Sequence, residues 1–212
     1  MLNLLKLIYP DVCAFCNKIQ KESLCKKCEE KIKKYKKDIV IRSKNNYFEE
    51  LISIFKYEGL IREKIIQYKF QDKSYIYNTF AKIILKNEKV CGLLKKYDII
   101  IPVPIHRKRK LQRGYNQTQL IAKEIAKNID IELCDDALIK TKNTIAQSKL
   151  NKNKRKQNLK GAFRVLDLEK IQGKNILLFD DIFTTGSTVN ECSKILKKAG
   201  AKTVGVLTIA KD

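Results

Sequence analysis

Residues 176–188 read Ile-Leu-Leu-Phe-Asp-Asp-Ile-Phe-Thr-Thr-Gly-Ser-Thr. Four consecutive large apolar residues describe a strand covered on both faces, as in the interior of a parallel sheet. Asp180 and Asp181 follow directly, so folding carries two adjacent carboxylates to the strand's C-terminal end. That edge is where open α/β sheets bind ligands. A Thr/Gly/Ser turn then enters a stretch of helical spacing, Thr188 to Ala199, which Gly200 stops. A helix N-terminus offers unpaired N–H groups and the positive end of its dipole. Thr184, Thr185, Gly186, Ser187 and Thr188 can therefore surround one phosphate, with Gly186 allowing close backbone approach. Asp180 and Asp181 can accept hydrogen bonds from paired sugar hydroxyls. The parts together suit a ribose 5-phosphate. Two plainer readings remain open at this point: an acid pair can hold a metal alone, and a Thr/Gly/Ser turn can be a simple helix cap.

The rest of the chain supplies the sheet that such a strand needs. Glu50 to Tyr57 reads as a strand closed by Glu58 and Gly59, and Asp98 to Val103 as a buried strand ended by Pro102 and Pro104. Ala137 to Ile139 and Thr203 to Ile209 are further strands, and the central one is expected over Asn175 to Phe179. Helical spacing marks Leu60 to Tyr68, Ile76 to Leu85 and Thr118 to Ile129. Strands alternating with helices imply βαβ units and a mostly parallel sheet. Glu29 to Lys37 is expected as a solvated helix, and 38 to 46 as a polar linker, giving units at 1–40 and 46–212.

Cys13-x2-Cys16 and Cys25-x2-Cys28 stand eight residues apart in the first unit. Two such pairs supply four thiolates for a tetrahedral Zn²⁺. A segment this short cannot bury a core alone, so a structural metal would supply folding energy. The alternatives are two disulfides or a redox pair. No window approaches the ~18–20 apolar residues of a membrane span, and Leu2 to Tyr9 lacks a cleavable leader pattern. A cytoplasmic chain is the expectation, and thiols there are more often metal-bound or buried than oxidised. Cys91, Cys134 and Cys192 sit on apolar or helical backgrounds and read as core.

The formal net charge of +22 points to polyanionic partners, although Lys-rich usage can also reflect genome composition. Position is more telling. Arg107, Lys108, Arg109, Lys110 and Arg113 lie in one acid-free loop near the sheet edge. Arg113 and Gly114 are the candidates for a diphosphate there. Lys142, Lys149, Lys152, Lys154, Arg155, Lys156 and Lys160 form a second run within a polar loop, 141 to 160. It can track a nucleic acid backbone, with Tyr115 available to stack on a base. His106 stands alone and is given no catalytic role.

These stretches resemble one family. Residues 176–188 look like the signature loop of type I phosphoribosyltransferases. Residues 101–117, Ile-Pro-Val-Pro-Ile-His-Arg-Lys-Arg-Lys-Leu-Gln-Arg-Gly-Tyr-Asn-Gln, resemble the ComF competence family, as do 141–150, Arg155, Asn158, Ala162, Phe163 and the four cysteines. Tyr115 and Lys140 depart from its usual Phe and Arg. The resemblance implies a type I phosphoribosyltransferase-like α/β fold with a zinc knuckle. It also implies phosphoribosyl diphosphate bound with Mg²⁺, Asp180 and Asp181 on the ribose, and Thr184 to Thr188 on the 5-phosphate. A loop at 141 to 160 closing over substrate is a further implication. The family is linked to DNA uptake in natural transformation, so single-stranded DNA and uptake-machinery proteins are the implied partners. Two other readings compete: a transferase acting on a small base or amine without a DNA role, and a non-catalytic sensor of nucleotide or phosphoribosyl diphosphate. The sequence names no acceptor.

Overall fold

The computed structural model describes residues 11–144 and 157–212. A sheet in the order β1-β2-β8-β7-β3-β4 organises it. Its strands are β1 (Lys36–Arg42), β2 (Glu50–Lys56), β3 (Ile99–Pro102), β4 (Glu132–Leu133), β7 (Asn175–Phe183) and β8 (Thr203–Lys211). Only the β1–β2 pairing is antiparallel; β2–β8, β8–β7, β7–β3 and β3–β4 run parallel. A separate antiparallel ribbon joins β5 (Leu138–Lys140) to β6 (Phe163–Val165). This is the expected α/β architecture, with the motif strand β7 near its centre.

The pleat explains why the central strands carry no polar alternation. Leu177 and Phe179 of β7 pack into one cluster, while Ile176 and Leu178 pack into another. β8 divides likewise, Leu207 and Ile209 against Val204 and Val206. Each face has its own helices, so every residue is covered. On the first face lie α1 (Lys26–Lys33), α2 (Gly59–Phe70), α3 (Ile76–Leu85), α4 (Glu88–Leu94) and α6 (Gln117–Ile129). On the second lie α7 (Ser187–Lys198), through Val189, Cys192 and Leu196, and the β5–β6 ribbon. Burying each such Leu, Ile or Phe contributes roughly 1.5–3 kcal/mol.

Three expectations need correction. The stretch 38 to 46, taken as a linker, contains most of strand β1, whose side chains stay largely exposed. An edge strand paired on one side buries little, so its sequence lacks a core pattern. The helix expected over Glu29 to Lys37 begins and ends earlier, at Lys26–Lys33. Cys25 is its N-cap and Cys28 lies one turn inside it, which ties the helix start to the cysteine spacing. The acid-free run at 107–113, read as a loop, is a short helix, α5 (Arg107–Arg113). His106 caps it, its Nδ1 accepting from the Lys108 N–H at 3.3 Å, and Gly114 ends it in the left-handed region at φ 82°. None of its residues is buried, so it has no apolar stripe by which the sequence could reveal it.

The N-terminal segment docks on this fold. Phe15 meets Phe80 of α3 edge-on at 5.9 Å, and Thr79 Oγ1 donates to the Ser23 carbonyl at 3.1 Å. Cys134 and Cys192 are buried as expected, whereas Cys91 is only partly covered. Among the described residues, no helix is long and apolar enough to cross a membrane.

Candidate functional site

Strand β7 does not stop at Phe179. It continues through the carboxylates to Phe183, still paired with β8 at Asp180↔Thr208 and Phe183↔Lys211. The two acids therefore obey the strand's alternation and face opposite sides of the sheet. Asp180 lines a cleft with Ile182, Phe183 and residues 184–189, at the start of α7. Asp181 turns toward α2 and α6 and is 4% exposed. There Lys69 Nζ lies 2.8 Å from its Oδ1, and Gln117 Nε2 donates to its Oδ2 at 3.1 Å. The sequence reading treats Asp180 and Asp181 as one ribose-holding pair; in this structure only Asp180 lines the loop cleft.

The loop is shaped by Gly186, which sits at φ 72° as the N-cap of α7. A Cβ there would come within 2.6 Å of the Phe183 ring, so glycine is required by conformation and by space. The glycine offers no side-chain cap to the helix. First-turn N–H groups of a helix have no partner within it, and here they open on the cleft with the dipole's positive end. Thr185 Oγ1 and Ser187 Oγ lie 2.9 Å apart at its rim. Such a turn offers donors that an anion could accept from.

Asp180 is electrostatically stressed. Burial first, and the neighbouring Asp181 second, push its carboxyl up to about 7 against the pull of Lys69, the Asp181 N–H and Lys140. The Asp181 N–H donates to Asp180 Oδ1 at 2.9 Å. Lys140, on β5, reaches over the Phe163 ring at 5.3 Å. Burial, then repulsion from Arg109, holds its ammonium below the ordinary lysine range. Arg109 of α5, Lys140 and Asp180 therefore share one electrostatic neighbourhood.

Arg113 and Gly114 sit at the end of α5. Arg113 Nη1 donates to Gln117 Oε1, and its guanidinium lies 5.4 Å from the Phe70 ring centroid. Tyr115, offered by the sequence as a stacking ring, stacks instead on Tyr68 at 5.7 Å and spends its hydroxyl on the Tyr68 carbonyl. Tyr68 Oη in turn donates to the Gln117 carbonyl at 2.7 Å. Lys69, Gln117, Tyr68 and Lys140 were missed as site residues. No local motif marks Lys69 or Tyr68, while Gln117 stands at the end of the Arg-Gly-Tyr-Asn-Gln stretch. Lys152, Lys154, Arg155 and Lys156 lie outside the described residues.

The cysteines converge. The ligand atoms of Cys13, Cys16, Cys25 and Cys28 lie within 4.8 Å of one another, with Cys16 and Cys25 sulfurs 3.7 Å apart. A tetrahedron with Zn–S bonds of about 2.3 Å has sulfur edges of about 3.8 Å. All four thiols are free in this structure. Burial alone would raise Cys13, but N–H groups of Cys25, Phe15 and Cys16 outweigh it and bring the thiol down to about 6. Burial first, then its three sulfur neighbours, push Cys28 upward. Crowded thiolates repel unless a cation lies among them, so this cluster could hold a metal such as zinc.

Comparison with known proteins agrees with the geometry. A family model described as phosphoribosyl transferase domain matches residues 119–212. Competence protein F of Haemophilus influenzae is 30% identical over 211 residues, covering 91% of this chain and 92% of its own. DNA utilization protein YhgH of Shigella flexneri is 33% identical over 163 residues, covering 75% and 70%. Competence protein ComFC of Bacillus subtilis is 26% identical over 211 residues, covering 98% and 81%.

Proposed function

The chain belongs to the ComF family of phosphoribosyltransferase-like proteins, and from that premise we propose that it serves DNA uptake in natural transformation. It handles incoming single-stranded DNA through a domain that binds phosphoribosyl diphosphate with Mg²⁺. Relatives named for competence and for DNA utilization support the process. The observation that carries the ligand is the cleft at the uncapped N-terminus of α7, lined by Asp180 and the Thr184–Thr188 turn.

In this reading the first-turn N–H groups of α7, with the hydroxyls of Thr185, Ser187 and Thr188, hold the 5-phosphate. Asp180, once ionised, accepts from a ribose hydroxyl. Asp181 reaches the sugar only if Lys69 and Gln117 yield it. Arg113 and the Gly114 backbone, with Arg109, face the diphosphate. The Asp180 carboxylate would also be available to a Mg²⁺ ion carried by the diphosphate, an ion that would offset part of the ligand's negative charge. Cys13, Cys16, Cys25 and Cys28 hold a structural Zn²⁺ that fixes the N-terminal segment against α3.

One preparation tests this. Calorimetry should detect Mg²⁺-dependent binding of phosphoribosyl diphosphate, weakened tenfold or more by the paired change Asp180→Asn and Asp181→Asn. That drop corresponds to losing hydrogen bonds of ~1.5–3 kcal/mol each. Filter binding should retain single-stranded DNA, with affinity falling steeply as salt rises. Binding of phosphoribosyl diphosphate with no DNA retention at physiological salt would replace this reading by the small-molecule transferase.

A further inference from the structure

Helix α2 buries Ile61, Ile65 and Tyr68 completely, yet its last residue, Phe70, is 71% exposed. A single exposed phenyl is unremarkable by itself. This one has company. The Arg113 guanidinium lies 5.4 Å from its ring centroid. Lys69 precedes it, and Arg113 closes α5, whose sequence Arg-Lys-Arg-Lys-Leu-Gln-Arg contains no acid. The acids close by are Asp72 and Asp181, and Lys69 already pairs with Asp181.

The ring is also tied to the Asp181 side of strand β7. Arg113 bonds Gln117, Gln117 bonds Asp181, and Asp181 is paired with Lys69, the residue before Phe70. A closed circuit of side chains therefore joins the phenyl to the strand that carries Asp180. Tyr115 cannot take this role with the face and hydroxyl it has given to Tyr68.

We infer that Phe70, flanked by Arg113, is a stacking shelf for an unpaired nucleobase, whose phosphates run along α5. Aromatic rings and guanidinium planes both stack on bases, and cations beside them follow the backbone. A single strand is the occupant that fits. It offers free base faces to Phe70 and one negative charge per residue to the cations of α5, whereas a duplex hides its base faces in the stack. The inference rests on the proposed DNA-handling role and names the residue that contacts the bases.

The chain contains no tryptophan, so Phe70→Trp installs a unique fluorophore on the shelf. Its emission should be quenched by oligo-dT, and not by an abasic phosphodiester chain of equal length or by duplex DNA. Phe70→Ala should weaken oligo-dT about tenfold while leaving the abasic chain unchanged, in line with one lost base–aromatic stack. Wild-type protein retaining the two single strands equally, with no selective quench in the Trp variant, would overturn the shelf and leave DNA handling intact. Retention of neither strand would remove the DNA-handling role and the shelf with it. Quenching by thymidine 5′-monophosphate but not by the oligonucleotide would overturn the shelf in favour of a small-molecule base site.

Discussion

Asp180→Asn should make the protein more stable and bind its ligand less well. In an unfolded chain the Asp180 carboxyl loses its proton near 3.8, whereas in the fold it keeps it to about 7. Between those values the folded state binds more protons than the unfolded one, so this group's contribution to stability falls as pH rises from about 4 to about 7, then stays level. Full ionisation in the folded state would cost ~4 kcal/mol at 1.36 kcal/mol per tenfold change in proton affinity. Relaxation and water entry around the charge return part of it, leaving ~2 kcal/mol. The asparagine keeps the oxygen that accepts from the Asp181 N–H, so local geometry survives. The gain should be near zero at pH 3, grow as pH rises, and reach ~2 kcal/mol by pH 8, raising the melting midpoint by about 4–8 °C for a chain of this size. Circular dichroism melts and urea titrations across that range measure it. Phosphoribosyl diphosphate binding should tighten from pH 6 to 8 in the wild type, as Asp180 ionises, beyond whatever the ligand's own phosphate contributes in the variant. A variant no more stable than wild type at pH 8, or a gain independent of pH, would refute the strained-carboxylate reasoning.

Other perturbations have equally definite outcomes. Purified protein should contain one zinc per chain by atomic absorption, and Cys25→Ser should lose it and expose the N-terminal segment to protease; full occupancy in the variant would sink the four-thiolate assignment. Lys69→Met strands the Asp181 carboxylate with Gln117 alone and should destabilise by ~2–4 kcal/mol in urea unfolding, most of it recovered by adding Asp181→Leu. Gly205→Ala would put a Cβ 1.8 Å from Tyr97 Oη and force that hydroxyl off Glu50, which it contacts at 2.5 Å; a loss of ~2 kcal/mol is expected, and an unaffected melting midpoint would contradict the packing. Changing Lys152, Lys154 and Lys156 to Gln should flatten the salt dependence of DNA retention, each lost phosphate contact removing about 0.7 from the slope, while Lys33, Lys34 and Lys36 serve as distant controls.

What the chain order alone determined was local. A strand, two acids, a glycine turn and a helix start are contiguous in 176–188, and paired cysteines eight residues apart already specify a four-sulfur cluster. Both survive translation into three dimensions because their geometry depends on short-range backbone constraints. The helix over Ile76–Leu85 was legible for the same reason: its buried positions recur with helical period. Elements that bury nothing were not legible. β1 and α5 show no core pattern, one because it is an edge strand and the other because it lies wholly at the surface. Only the tertiary structure decided the electrostatics of the site. Gln117 meets Asp181 across 64 residues, and Tyr115 meets Tyr68 across 47. Those meetings hold Asp181 on the side of α2 and α6 and commit one face and the hydroxyl of Tyr115 to Tyr68, while Phe70 stays exposed. Period-two alternation was implicit in the strand, but which face carried the cations depended on how α2 and α6 packed, and hydrophobic packing of those helices does not encode where their few polar residues will land.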